Sequence, residues 1–346
     1  WQGDNIMANK MDIELSPSTT IGLLKKMLID RGITDVSIIA DYMHQLRELQ
    51  KAAGQFYSYD AYTEKGSAHS ATVMDGKHHR ECIMWSINHY LSLNRNPQVI
   101  EAARAAAAEY GTGCGTSAMS GGFSSLHKRI EERIADLLGK KGVMLFPTGF
   151  TTNAGVISGL VSKRDLLLSD AENHASIVDG CRASRAQILP FEHNSVADLE
   201  DKLKRYRDEF ENVFVIVESA YSMSGDLSPL KEIVELKKRY NFFLYVDEAH
   251  TFGFYGDGGR GYCQELGILD DVDFIMSTFS KATASVGGFV AMDPKYKTLL
   301  TWNARPYLFQ ACLTPADAAA ILAASVSMIS RPVFPQSLHH VLHPDP

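Results

Sequence analysis

The sequence predicts an α/β fold with a mostly parallel central sheet and helices on both of its faces. Three observations carry this. From residue 143 to residue 276, short apolar runs of strand length alternate with segments of helical period. The runs at 213–217 and 274–276 are apolar throughout, as buried strands are. Residues with chemistry to offer, Gly149, Phe150, Ser222, Asp247, His250 and Lys281, fall just after strands, where sheets of this kind place their ligands.

In chain order, residues 1–20 are polar and irregular and read as a linker or the tail of an upstream module. Two short helices are predicted over 21–53. Ile21, Leu24, Met27 and Leu28 share a face in the first, and Ile38, Ile39, Tyr42 and Leu46 do so in the second. Residues 54–80 are rich in Tyr, Gly and His, with Tyr57, Tyr59 and Tyr62 close together, and they suggest no element. His69, His78 and His79 lack the cysteine or carboxylate spacing of a metal site and read as exposed, so no metal is expected. Asn96 and Pro97 start a helix that Gly111 ends. The glycine-rich run 111–122 has no strand before it, so it fails the dinucleotide-binding pattern and reads as a flexible loop. Ser125 opens an amphipathic helix with the stripe Leu126, Ile130, Ile134, Leu137 and Leu138.

Strands then follow at 143–146, 166–168, 188–189, 213–217, 242–246 and 274–276. Helices lie at 151–160, 176–183 and 197–206, with one from Pro229 capped by Ser228. The expected organisation is 1–53 linker and N-terminal helices, 54–110 an N-terminal segment, 111–310 the large domain, and 311–346 the start of a shortened C-terminal domain. The chain begins at Trp1 and closes on a His- and Pro-rich tail, which reads as a cut from something longer or as a non-native tail.

The composition is that of a soluble globular protein: 346 residues, 45% hydrophobic and 22% charged. A net charge of -7 argues against a nucleic-acid partner. The five cysteines show neither metal nor redox spacing and read as reduced thiols. No apolar run reaches the roughly 18 residues of a membrane span, and no signal peptide is visible, which points to the cytoplasm.

The stretch 273–289 organises the chemistry. A buried strand leads into a small-residue turn, then Lys281, then the pair Gly287 and Gly288. A lysine in that setting is placed to lose water, lower its pKa and act as an amine nucleophile. The run 244–250 ends a second buried strand with Asp247 and, three positions on, His250. An amine, a buried acid and a helix start fit pyridoxal 5′-phosphate. The lysine forms a Schiff base with its aldehyde, the acid keeps its pyridine nitrogen protonated, and helix N–H groups hold its phosphate. Residues 148–151 supply that helix start, and Thr278 and Ser280 supply hydroxyls.

Over about residues 85–329 the chain resembles the α-oxoamine synthase family of fold-type I pyridoxal-phosphate enzymes. The resemblance rests on NHYL at 88–91, PTGF at 147–150, NHAS at 173–176, YSMSGD at 221–226, VDEAH at 246–250 and TFSK at 278–281. It implies a three-layer, aspartate-aminotransferase-like fold with the C-terminal small domain largely missing. It implies that Lys281 holds the cofactor and moves the substrate α-proton, that Asp247 pairs with the ring nitrogen, and that His250 and Ser222 bond the ring hydroxyl. His174 would stack on the ring, Gly149, Phe150 and Thr278 would bind phosphate, and Asn88 would touch the amino-acid carboxylate.

The implied reaction is the decarboxylating condensation of an amino acid with an acyl thioester to give an α-amino ketone, in a homodimer. Serine with a long acyl-CoA is the first substrate expected, and an acyl carrier protein is left open as donor. Where the family often has an acid after the asparagine, this chain has His89. The run 309–315 stands where relatives place a hydroxyl for the neighbouring subunit's phosphate. Aminotransferase or aldolase chemistry is the alternative within the same fold. An inactive fragment or non-catalytic partner is the other, against which the retained Lys281 argues.

Overall fold

The computed structural model describes residues 13–54, 61–66, 69–75 and 78–329. The leader to residue 12, Tyr57, Tyr59 and the tail from residue 330 lie outside the described residues. The chain divides into two compact units, Trp1–Trp85 and Ser86–Pro346. That border falls inside the segment 54–110 that the sequence pattern kept together.

In the smaller unit, α1 (Ile21–Asp30) and α2 (Val36–Ala52) start on side-chain caps. Thr20 accepts from the N–H of Leu23, and Asp35 accepts from those of Ser37 and Ile38. Leu24, Leu28, Tyr42 and Leu46 are buried with Ile13 and Ile33, whereas Ile21 of the expected stripe is 44% exposed. Three antiparallel strands follow, β1 (Ala61–Thr63), β2 (Ser70–Asp75) and β3 (His78–Ile83). The sequence predicted no strands there. β3 reads HHRECI and is exposed along most of its length, so it carries no apolar alternation. His78 and His79 lie on this exposed strand, and among the described residues no His, Cys, Asp and Glu group has a metal-binding arrangement.

The larger unit opens with α3 (Pro97–Tyr110), whose N-cap Asn96 accepts from the Gln98 N–H and whose end is Gly111 at φ 88°. In α4 (Ser125–Leu138) Leu126, Ile130, Ile134 and Leu138 are buried as the stripe predicts. The alternation then runs β4 (Gly142–Phe146), α5 (Gly149–Leu160), β5 (Leu166–Asp170), α6 (Ala175–Ser184), β6 (Gln187–Phe191) and α7 (Val196–Tyr206). It continues through β7 (Val213–Glu218), α8 (Leu230–Tyr240), β8 (Phe243–Asp247), the single turn α9 (Tyr262–Glu265), β9 (Phe274–Thr278) and β10 (Gly288–Met292). Three helices close the described chain: α10 (Pro294–Asn303), α11 (Arg305–Phe309) and α12 (Pro315–Ile329).

The sheet has the order β4-β10-β9-β8-β7-β5-β6. β5 to β9 pair in parallel, and β10 runs antiparallel between β4 and β9. Alternate strand residues feed two cores, one on each face. Leu145, Leu168, Val215, Val246, Ile275 and Phe289 pack on the side of α3, α4, α7, α8 and α12. Met144, Leu167, Ile216, Tyr245, Phe274 and Val290 pack on the side of α5, α6 and α10. The result is three layers. Each Leu or Ile fully buried in them contributes about 1.5–3 kcal/mol.

Two expectations are corrected here. Ser228 does not cap α8: the N-cap is Pro229, and Ser228 uses its backbone N–H to bond the carbonyl of Ser219. Its hydroxyl is buried and has no partner among the described residues. The stretch after residue 311 does not open a separate domain over the described range. Ala318, Ala320, Ile321 and Ala324 of α12 are buried in the same core as Val99 and Ala106 of α3, because small side chains let the two helices approach closely. Among the described residues no helix is long and apolar enough to cross a membrane.

Candidate active site

Parallel pairing brings the C-terminal ends of β7, β8 and β9 to one edge. The register sets Glu218 beside Asp247 and Asp247 beside Met276, and Thr278 closes β9. The N-terminus of α5 faces the same edge after β4. Between them lies a cavity of ≈ 340 Å³, within the roughly 300–1,000 Å³ of small-molecule sites. Its lining includes Gly149, Phe150, His174, Asp247, Thr278 and Lys281, six residues predicted from sequence, together with Asn153, Glu218 and Ser280.

Lys281 follows β9 by three residues. The loop after it is closed by the Ala284 N–H on the Lys281 carbonyl and the Ser285 N–H on the Phe279 carbonyl. Lys281 Nζ lies 2.7 Å from His250 Nε2. On the other side of that ring, His250 Nδ1 lies 2.7 Å from the Tyr90 hydroxyl. Burial holds the Lys281 ammonium below the ordinary lysine range, with Asp247 and Glu218 pulling the other way. Burial, then the nearby Lys281 and His174, push the His250 imidazolium down to about 3, so the ring is neutral at ordinary pH.

Asp247 is buried and held by two protein donors. The Ala249 N–H bonds Oδ1 at 2.8 Å, and Asn153 Nδ2 bonds Oδ2 at 2.7 Å. Asn153 is itself fixed. Its second Nδ2 hydrogen goes to Ser176 Oγ at 3.0 Å, and its Oδ1 accepts from the buried Tyr245 hydroxyl at 2.7 Å. This ties Asp247 to the start of α6, where His174 is the N-cap. The Ser176 N–H donates to His174 Nδ1, which leaves Nε2 as the ring's N–H. The His174 backbone N–H donates to Glu218 Oε1 at 2.6 Å. Burial raises the Glu218 carboxyl above the ordinary range, and the adjacent Asp247 adds to this.

The helix start is a shaped anion cradle. Thr148 caps α5, bonding the Thr151 N–H, and helix geometry leaves the N–H groups of Gly149 and Phe150 without intrahelical partners. A Cβ at Gly149 would come within 2.7 Å of Thr278 Cβ, so only glycine lets helix and strand end meet. Thr278 Oγ1 donates to the Gly287 carbonyl at 2.8 Å and lies 2.8 Å from Ser280 Oγ. Two first-turn N–H groups and two hydroxyls thus face a cavity that also holds an amine and an acid. That donor set fits pyridoxal phosphate.

Two expected residues are not brought in. Ser222 lies in an exposed turn outside the cavity lining, because the turn bonds Tyr221 N–H to the Asp226 carbonyl and buries the Tyr221 side chain instead. Asn88 is also exposed and outside the lining. Its carbonyl accepts from the N–H of Tyr90, the residue of that motif whose side chain does reach the site.

Three residues were missed. Tyr90 stood in the NHYL motif already singled out. Glu218 closes a buried strand with a carboxyl, the signal used for Asp247. Asn153 falls one helical turn after Gly149 and so on the same side of α5.

Residues 80–330 match the family described as Aminotransferase class I and II. A serine palmitoyltransferase from Bacteroides thetaiotaomicron is 43% identical over 260 residues, which are 75% of this chain and 65% of that protein. The chain thus spans less than two thirds of that relative's length. An 8-amino-7-oxononanoate synthase from Alkaliphilus oremlandii is 36% identical over 283 residues, 81% of this chain and 71% of the other. Among solved structures, the Sphingomonas wittichii serine palmitoyltransferase superposes with a TM-score of 0.80 at 34% identity, covering 86% of this chain and 73% of its own. A high-resolution serine palmitoyltransferase structure with a pyridoxal-phosphate internal aldimine gives the same TM-score at 33% identity and the same coverage. A family match over most of the chain, and relatives of this identity that share its layers and sheet, make the chain a member of the aminotransferase class I and II family in its α-oxoamine synthase branch.

Proposed function

We propose that this chain uses pyridoxal 5′-phosphate to condense an amino acid with an acyl thioester, with loss of CO2, giving an α-amino ketone. The observation that carries the reading is the Lys281 amine in one cavity with the doubly bonded Asp247 and the Gly149 helix start. Serine is the first amino acid to test, because relatives named serine palmitoyltransferase stand at 40–43% identity. A long acyl-CoA is the first thioester, and an acyl carrier protein is the second donor to try.

When bound, the cofactor supplies an aldehyde for amines and a ring that accepts electrons from the substrate α-carbon. The chain's own residues then have separate tasks. Asp247 holds a proton at the ring nitrogen, and Asn153 and the Ala249 N–H keep its carboxyl aimed. Gly149, Phe150, Thr278 and Ser280 hold the phosphate. His174 covers the ring face, fixed by Ser176 and Glu218. Lys281 Nζ anchors the cofactor and, once released, takes the α-proton of the amino acid and returns it. His250, bonded to that Nζ, also serves the ring hydroxyl. Ser222 and Asn88 are assigned no contact in this reading. The family supports a homodimer, and the unpaired thiols suit a reducing, cytoplasmic setting.

The test begins with the near-visible absorption of the purified chain plus cofactor, compared with Lys281→Ala. An imine band in the parent alone is the expected result. Turnover across amino acids and thioesters follows, with product identification. An amino ketone from serine and a long acyl-CoA supports the reading. Aldehyde release or amino-group transfer to pyruvate would replace it with the aldolase or aminotransferase alternative.

A further inference from the structure

We propose that Tyr90 is a positioning residue for Lys281: its hydroxyl donates to His250 Nδ1, so that His250 presents Nε2–H to the lone pair of Lys281 Nζ and holds the lysine as a free amine. This deepens the proposed function and rests on its reading of Lys281 as the cofactor-bearing amine.

The geometry is a continuous chain of two bonds. Tyr90 Oη lies 2.7 Å from His250 Nδ1, and His250 Nε2 lies 2.7 Å from Lys281 Nζ. The tyrosine ring is held independently, 4.8 Å from Phe254 and edge-on to His250 at 6.1 Å. A neutral imidazole carries one hydrogen, so one ring nitrogen donates and the other accepts. Only two arrangements are then open. In the first, Tyr90 donates to Nδ1 and Nε2–H donates to the lysine. In the second, the lysine donates to Nε2, Nδ1–H donates to the tyrosine oxygen, and the hydroxyl proton is left to solvent.

Burial favours the first, and the nearby carboxyls oppose it. Burial lowers the Lys281 ammonium, the form that donates most readily in the second arrangement. The titratable groups that bear on the pair are Asp247 and Glu218 toward Lys281, and His174 toward His250. The two carboxyls favour the ammonium form, so burial and the His250 bond together must outweigh them. A phenylalanine at position 90 keeps the ring packing but removes the donor. Nδ1 is then free to take the hydrogen, and Nε2 becomes an acceptor that stabilises the ammonium.

The experiment uses the cofactor-free full chain. Nitrogen-15 NMR of the His250 side chain, assigned with His250→Asn, reports the tautomer. The pH profile of Lys281 trinitrophenylation, located by peptide mass, reports its free-amine fraction. The parent is expected to show an Nε2–H tautomer. Tyr90→Phe is expected to shift the tautomer toward Nδ1–H and to raise the Lys281 midpoint by about one unit, a roughly tenfold loss of free amine at neutral pH. An unchanged melting temperature for Tyr90→Phe would show that the fold is intact. Identical tautomers and profiles in both proteins would overturn the inference. Neither readout needs cofactor, so a missing imine band in the parent would sink the proposed function without touching this result.

Discussion

Asn153 commits both Nδ2 hydrogens and its Oδ1 to partners inside the fold: Asp247, Ser176 and Tyr245. Replacing it with leucine strands a buried tyrosine hydroxyl and removes a donor from a buried carboxyl. Each buried polar group left unpaired costs about 1–3 kcal/mol. Asn153→Leu should therefore lower the urea midpoint of the cofactor-free protein and weaken cofactor binding together. A normal midpoint would mean that water replaces the amide.

Glu218 gives a pH signature. Its folded pKa is raised to about 8, chiefly by burial and then by Asp247, so between about 4.5 and 8 the folded state binds the proton that the unfolded state releases. Stability must fall with rising pH across that window. His250, lowered to about 3, contributes the opposite slope between about 3 and 6.5. Glu218→Gln isolates the first effect. Its stability relative to the parent should climb steadily from pH 4.5 to 8 and level off above, as read from melts across pH. A difference that stays flat would show Glu218 to be ionised in the fold.

At the scale of elements, the site depends on α5 meeting the sheet. A Cβ at Gly288, the first residue of β10, would come within 2.9 Å of Gly149 Cα and would also strike Thr152 Oγ1. The threonine can turn away, but the helix backbone cannot. Gly288→Ala should cost about 1–3 kcal/mol as an overpacked contact and should weaken phosphate holding at Gly149 by displacing the helix start. Equilibrium unfolding and a cofactor titration would read the two effects separately.

This junction also shows what the sequence could and could not disclose. The glycine pair and Lys281 were legible because small residues around one amine are a local signal. β10 itself was not, since nothing local says that four apolar residues after a glycine pair will run back antiparallel between β4 and β9. Nor was β3 legible, whose pairing is made by backbone groups beneath polar side chains. Asp247 and Lys281 announced themselves by their place at strand ends. Tyr90 could not, because its partner His250 is far along the chain and only the fold brings the two rings together.

At the scale of the whole molecule, the alternation of strands and helices was enough to predict three layers. The number of independently packed units was not, since it depends on which apolar residues share a core. The structure separates those cores cleanly. Ile13, Leu24, Leu28, Ile33, Tyr42 and Leu46 form one cluster. The two clusters that sandwich the seven-stranded sheet draw their buried members from Leu93 onward. Every residue assigned to the cavity likewise lies after Ser86. A chain starting at Ser86 should therefore fold with the large unit's own cooperativity. Its thermal midpoint should lie within about 2–4 °C of the corresponding transition in the full chain, the shift that about 1 kcal/mol makes in a unit of this size. It should also form the same Lys281-dependent imine band. A much lower midpoint, or loss of the band, would show that residues before Ser86 support the catalytic unit through contacts outside its cores. A separate, earlier transition that vanishes with the deletion would assign that transition to the small unit.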